Sequence, residues 1–128
     1  MDFTKDKTLG RDLLKDFPAL NYGKGYDACF AIDNYVPGQL QEAGELYSKR
    51  SGRSLKIFTT QPGIQVYTGN WLAGCPQGKK MRTYTDYCAG ARECQHFPDS
   101  PNNPSFPTTV LKPGNVYHEA IIFAFGTK

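Results

Sequence analysis

Apolar residues in this chain come in short runs separated by turn formers, and nowhere do they recur at i, i+3, i+4 and i+7 long enough to build a convincing amphipathic helix. Ala28-Cys29-Phe30-Ala31-Ile32 ends at Asp33-Asn34, and Ile64-Gln65-Val66-Tyr67-Thr68 follows a Pro62-Gly63 turn signal. The second run alternates, with Ile64, Val66 and Thr68 on one face of a strand and Gln65 and Tyr67 on the other. Glu45-Leu46-Tyr47 and Leu55-Lys56-Ile57-Phe58 flank Ser51-Gly52-Arg53 in hairpin fashion. Val116 to Phe125 is the strongest strand pattern, projecting Tyr117, Ile121, Phe123 and Phe125 together, and Met81 to Cys88 is a weaker one. Residues 1–24 read as an irregular lead-in, with a helical turn or two at Leu9 to Leu14 and a break at Pro18. With 13 Gly and 9 Pro among 128 residues to supply the turns, the pattern predicts an all-β, antiparallel β-sandwich or barrel in a single domain.

Several kinds of chemistry are excluded. Gly23-Lys24-Gly25 lacks the further glycines and the following helix of a phosphate loop, and no nucleophile elbow is present. The two histidines, His96 and His118, sit in no recognisable triad context. A net charge of +3 is too small to imply a polyanion, and Lys79-Lys80-Met81-Arg82 reads as a solvated hairpin tip, so no nucleic-acid partner is expected. No run of 18 apolar residues occurs, and charges are mixed through Met1 to Lys7, so the expectation is a soluble cytoplasmic protein without a membrane partner. Cys29, Cys75, Cys88 and Cys94 are expected to be reduced thiols, and Cys88, Cys94 and His96 lack the paired spacing of a zinc site; no metal or cofactor is expected.

The segment from Phe97 to Pro107 carries prolines every third residue, a spacing that suits polyproline II and hence a groove-binding peptide. The competing reading, a rigid loop anchored by Phe97 and Phe106, is preferred. Just before it, Arg92 to Ser100 forms a polar cluster leading out of a strand, where Glu93 is placed for general base work or, alternatively, pairs with Arg92 or faces water.

Five motifs in one order and spacing carry a resemblance: Gly25-Tyr26-Asp27, Ser51 to Leu55, Thr59 to Asn70, Glu93 to Asn102, and Leu111-Lys112-Pro113-Gly114. Together they resemble the aldose 1-epimerase (galactose mutarotase) family, over essentially all of this chain but only the C-terminal third or so of a typical member. The resemblance implies a β-supersandwich of which this chain is part, binding an aldohexose such as galactose or glucose in a cleft across one broad sheet and interconverting its anomers without a cofactor. It implies that Glu93 is the catalytic base, and that Asp27 and Gln65 bind the substrate's hydroxyls.

The departures from the family are informative. The family's general-acid histidine and its assisting histidine belong to motifs upstream of this chain, and His96 and His118 match neither. Ala28 stands where His or Asn is common, and Cys94 where Thr is usual. Met1-Asp2-Phe3 resembles the interior of a family segment, so the chain is expected to start at an internal methionine of a longer polypeptide and to leave sheet edges and an inner apolar face uncovered. Such a chain would associate with itself or with a complementary N-terminal polypeptide. A different class of function, a non-catalytic carbohydrate-binding or assembly module, follows if the missing acid is never supplied. The related sugar-phosphate epimerases would need clustered arginines, whereas Arg50, Arg53, Arg82 and Arg92 are dispersed.

Overall fold

The structure is a computed structural model describing all 128 residues. It contains six strands, β1 (Asp27–Ala31), β2 (Gln41–Tyr47), β3 (Arg53–Thr59), β4 (Gly63–Tyr67), β5 (Ala91–Gln95) and β6 (Ile121–Thr127), and one short helix, α1 (Pro18–Gly23). They form two three-stranded sheets, ordered β1-β4-β5 and β2-β3-β6. The all-β expectation holds, and no helix is long and apolar enough to cross a membrane. By its contacts the chain divides into two compact units, Met1–Ala28 with Gln65–Arg92, and Cys29–Ile64 with Glu93–Lys128.

In the second unit, β2 and β3 form the expected antiparallel hairpin, with Tyr47 opposite Ser54 and a register slip between Glu42 and Gly44. Gly52 closes the turn at φ 68°, a left-handed conformation that glycine adopts without steric cost, and its N–H donates to Ser48 O at 2.8 Å. The core gathers Ile32, Ile57 and Ile64, with Phe30, Leu46, Leu55 and Cys94 packed against them. β3 also pairs with β6, placing Phe123 opposite Ile57 and Phe125 opposite Leu55. Antiparallel partners share a face, so Ile121, Phe123 and Phe125 continue the core side of the sheet. Their cover does not continue: Ile57 is 1% exposed, whereas Phe123 is 48% and Phe125 81% exposed.

Three local expectations are corrected. Pro18 starts a helix instead of breaking one, because the first helical position needs no N–H donor and favours proline's fixed φ. Met81 to Cys88 is not a strand; Lys80, Met81 and Tyr87 have φ of 59°, 54° and 64°, which breaks the pleat, and Lys79–Met81 is an exposed 3-10 turn and not a hairpin tip. The predicted strand from Val116 begins only at Ile121, and Tyr117 instead accepts a hydrogen bond at its Oη from Gln61 Nε2 at 2.9 Å. The proline-rich segment is the anchored loop. Asp99 at φ 62° and a 3-10 turn at Ser100–Asn102 interrupt any polyproline II helix, while Phe97 and Phe106 meet edge to face with centroids 5.2 Å apart.

In the first unit, the lead-in is organised by charge. Buried Asp12 accepts from Lys7 Nζ at 2.7 Å, Lys15 Nζ at 2.8 Å and Arg11 Nε at 3.4 Å, and Lys7 also lies 4.2 Å above the Phe3 ring. Lys15 first, and then Lys7, hold the Asp12 carboxyl well below the usual carboxylate range. A carboxyl whose pKa is depressed on folding stabilises the fold above its unfolded pKa, about 3.9, and loses that contribution as pH falls toward the folded value. Asp12→Asn is therefore expected to lower the melting temperature at pH 7, and the gap from wild type should narrow steadily in melts taken below pH 4. A pH-independent gap would show that the carboxylate charge is not what stabilises this cluster.

Candidate functional site

Asp27 heads β1 and Gln65 lies at the centre of β4, and the structure joins them: Gln65 Nε2 donates to Asp27 Oδ1 at 2.7 Å. Alternation along β4 accounts for where Gln65 faces. Ile64, Val66 and Thr68 are buried, whereas Gln65 and Tyr67 are turned to the other face and only half-buried. Asp27 is positioned by the residues just before it. Tyr26 N donates to Thr68 Oγ1 and Thr68 N to Tyr26 O, both at 3.1 Å, tying the approach to β1 onto the residue after β4.

Asn70, 0% exposed, completes this junction. Its Nδ2 donates to Gly23 O at 2.7 Å and Tyr26 O at 2.9 Å, and its Oδ1 accepts from Thr68 Oγ1 at 2.5 Å. Gly25 passes so close that a Cβ there would sit 2.5 Å from Asn70 Oδ1, and its φ of +142° is one that other residues rarely adopt. Asn70 lies within a motif visible in the sequence, but its structural role could not be read there, since its partners Gly23 and Tyr26 are more than forty residues away.

The pair has a definite hydrogen-bonding character. A carboxylate accepts only, so it takes the amide's N–H and leaves the Gln65 Oε1 directed elsewhere. That oxygen is enclosed and has no donor, while the Asp27 carboxylate is exposed and keeps further acceptor capacity. Oxygen acceptors of this kind suit hydroxyl donors of an uncharged polyol.

Glu93 lies on β5, and its side chain is exposed. No ion pair includes it, so of the alternatives weighed for this residue the pairing with Arg92 is not found. Arg92 Nη1 instead donates to Ala91 O at 2.6 Å and Tyr67 O at 3.3 Å, and burial pushes the Arg92 pKa down. Cys94, next along β5, is half-buried against the core; burial raises its thiol pKa, partly opposed by a hydrogen bond with Thr59. Cys29 is raised in the same way, with Gln95 opposing. Both are therefore poor nucleophiles at neutral pH. All four cysteines are free, and no three His, Cys, Asp or Glu side chains are grouped as metal ligands. His96 is half-buried and His118 exposed.

A network that sequence reasoning missed surrounds Trp71. The Lys24 ammonium lies 4.6 Å from the indole centroid and pairs with Asp86, which also accepts from Ala73 N at 2.9 Å. Lys24 and Asp86 are 62 residues apart, so no local pattern could have announced it.

Comparison with known proteins places these features in a family context. The sequence model of the family described as aldose 1-epimerase matches residues 1–124. Galactose mutarotase from Sus scrofa is 36% identical over 124 residues, covering 97% of this chain and 34% of that protein. Aldose 1-epimerase from Escherichia coli is 32% identical over 126 residues, covering 97% and 36% respectively. The crystal structure of the GalM/aldose epimerase homologue from C. elegans is similar with a TM-score of 0.69 at 32% identity, over 79% of this chain and 30% of that one. The chain thus spans about a third of the length of the curated relatives it matches.

Proposed function

Because the chain belongs to the aldose 1-epimerase family, we propose that it contributes the base and two sugar ligands to a mutarotase acting on aldohexoses such as galactose and glucose. In this reading Glu93 takes the proton from the C1 hydroxyl while an acid protonates the ring oxygen. The bond from C1 to that oxygen breaks, the C1 aldehyde forms, and rotation about the bond from C1 to C2 exposes its other face. Closure reverses both proton transfers, so the reaction is proton-neutral and needs no cofactor. Asp27 and Gln65 receive sugar hydroxyls. The acid comes from polypeptide outside residues 1–128, supplied by a complementary N-terminal segment.

The observation that carries this reading is the Asp27–Gln65 hydrogen bond, which brings two residues 38 apart in sequence into one acceptor-rich pair. Polarimetry of freshly dissolved α-galactose tests it, with the chain alone and with the chain co-expressed with the N-terminal two thirds of the Escherichia coli relative. Acceleration is expected only for the complemented pair, and Asp27→Asn should weaken galactose binding to it. The relative's own C-terminal third, with the same partner, is the positive control. If that control is active and the complemented pair is not, the enzymatic reading fails.

A second reading, a non-catalytic carbohydrate-binding module, draws on the short coverage of the relatives and the absence of a matching acid histidine. Galactose binding by the chain without activity in the complemented pair would select it.

A further inference from the structure

β6 ends the β2-β3-β6 sheet, so one of its edges pairs with β3 and the other is free. Hydrogen bonds at its two ends show which residues serve which edge. Ala120 O accepts from Thr60 N at 3.1 Å, and Lys128 N donates to Gly52 O at 2.8 Å. Backbone groups alternate in direction along an antiparallel strand, so the even-numbered residues from Ala120 to Lys128 are turned toward β3. The N–H and C=O groups of Ile121, Phe123, Phe125 and Thr127 therefore point outward from the sheet.

The sheet's two edges are built differently. β2, at the far edge, carries Glu42 and Glu45 and a register slip between Glu42 and Gly44, the charge and irregularity that keep an edge from pairing. β6 has no charge, no proline and an unbroken register from Ile121 to Thr127. At about 200 Å² for a whole large side chain, Ile121, Ile122, Phe123 and Phe125 leave on the order of 400 Å² uncovered. Two such patches together match a weak interface and fall short of an obligate one.

The strand also fits a copy of itself. Phe123-Ala124-Phe125 reads the same in both directions, so a twofold axis at Ala124 sets Phe123 opposite Phe125 of the second copy and Ile121 opposite its Thr127. Each of these is a hydrogen-bonded pair exchanging both N–H···O bonds, so every outward backbone group of β6 finds a partner. The phenylalanines share a face and form an aromatic cross-strand pair on either side of the axis. A slip of two residues, the smallest that keeps the hydrogen bonds, retains one aromatic pair and sets the remaining rings opposite Thr127 or Ile121.

We propose that β6 is the interface of a twofold homodimer, in which two copies of this chain join edge to edge into one continuous sheet. Pairing of β6 with β2 of another copy would build an open filament, and the guarded β2 edge opposes it. Sugar binding and catalysis are read separately, by the galactose measurements above, and neither result decides the other.

Sedimentation velocity of the 128-residue chain is expected to show a monomer–dimer equilibrium with a dissociation constant on the order of 10 µM. Phe125→Lys charges the free edge at a residue 81% exposed, and should raise that constant about tenfold or more without lowering the melting temperature. Val116→Lys, outside β6 and 86% exposed, should leave it unchanged. Ala124→Cys locates the axis: the two Cα atoms would lie about 4.5 Å apart, within disulfide reach, so mild oxidation should crosslink the dimer at that position. Ile122→Cys, about 13 Å from its counterpart, should not crosslink. Peptide mass spectrometry separates either product from links through Cys75 and Cys88, whose thiols are exposed. A chain that stays monomeric at about ten times the expected constant, a dimer indifferent to Phe125→Lys, or equal crosslinking at the two positions overturns the proposal. Should Phe125→Lys fail to fold, the comparison of the two cysteine variants still decides. The Ala124→Cys crosslink is expected to persist when the N-terminal two thirds of the Escherichia coli relative is added; its loss would make that polypeptide, and not a second copy, the occupant of β6.

Discussion

Asn70→Ala is expected to destabilise the unit formed by Met1–Ala28 and Gln65–Arg92 by about 2–3 kcal/mol, a large loss for a single polar side chain. The residue has no exposed surface, both of its amide N–H groups are spent on Gly23 O and Tyr26 O, and its Oδ1 accepts from Thr68 Oγ1. Alanine would leave the Gly23 carbonyl without its donor and strip one donor from Tyr26 O, which keeps Thr68 N, and one acceptor from Thr68 Oγ1, which can turn to Tyr26 O; a buried group left unsatisfied costs about 1–3 kcal/mol. The contrast is Asn21→Ala, whose Nδ2 donates to Asp16 Oδ1 at 2.8 Å at the surface and where a change within about 0.5 kcal/mol is expected. Urea unfolding of both variants, with hydrogen exchange at the Thr68 amide, separates them. Equal effects would show that the Asn70 junction is not what holds the approach to β1. Because that junction also seats Asp27 beside Gln65, Asn70→Ala should lose the 2.7 Å hydrogen bond as well as stability.

Glu93→Gln tests the proposed chemistry itself. In the complemented pair, kcat for galactose anomerisation is expected to fall on the order of 10²- to 10⁴-fold, the usual contribution of a positioned general base. KM should change little, since an amide of the same shape can still hydrogen-bond a hydroxyl but cannot take its proton. The side chain is exposed on β5, so the substitution is not expected to disturb folding, and a thermal melt checks this. Asp27→Asn makes the useful comparison, because a sugar ligand acts first on KM. Polarimetric rates for Glu93→Gln within twofold of wild type would remove Glu93 from the mechanism.

Much of the fold was legible because it depends on neighbours in sequence. The hairpin of β2 and β3 follows from two apolar runs around Ser51-Gly52-Arg53, and the exposure pattern of β4 follows from the alternation of Ile64 to Thr68. Where sequence reasoning went wrong, one backbone angle or one position decided. Pro18 is compatible with ending a helix or with starting one, and only the residues that follow choose the start. The alternation from Met81 to Cys88 is real, but three positive φ angles override it. The loop anchored by Phe97 and Phe106, by contrast, was expected over the extended helix its prolines also allow, and the contact between the two rings agrees with it.

The candidate site was legible only as separate residues. Five motifs in register pointed to the family and, through the resemblance, to Asp27, Gln65 and Glu93 as candidates, while apolar alternation alone set the faces of β4. That Asp27 and Gln65 meet, that buried Asn70 seats them, and that Lys24 and Asp86 steady an exposed Trp71 were decided by contacts spanning 38 to 62 residues. The same division explains β6. Its apolar alternation was plain in the sequence, but only the tertiary structure shows that Phe123 and Phe125 continue the core side of their sheet and are left uncovered, because burial belongs to what packs across a strand and not to the strand itself.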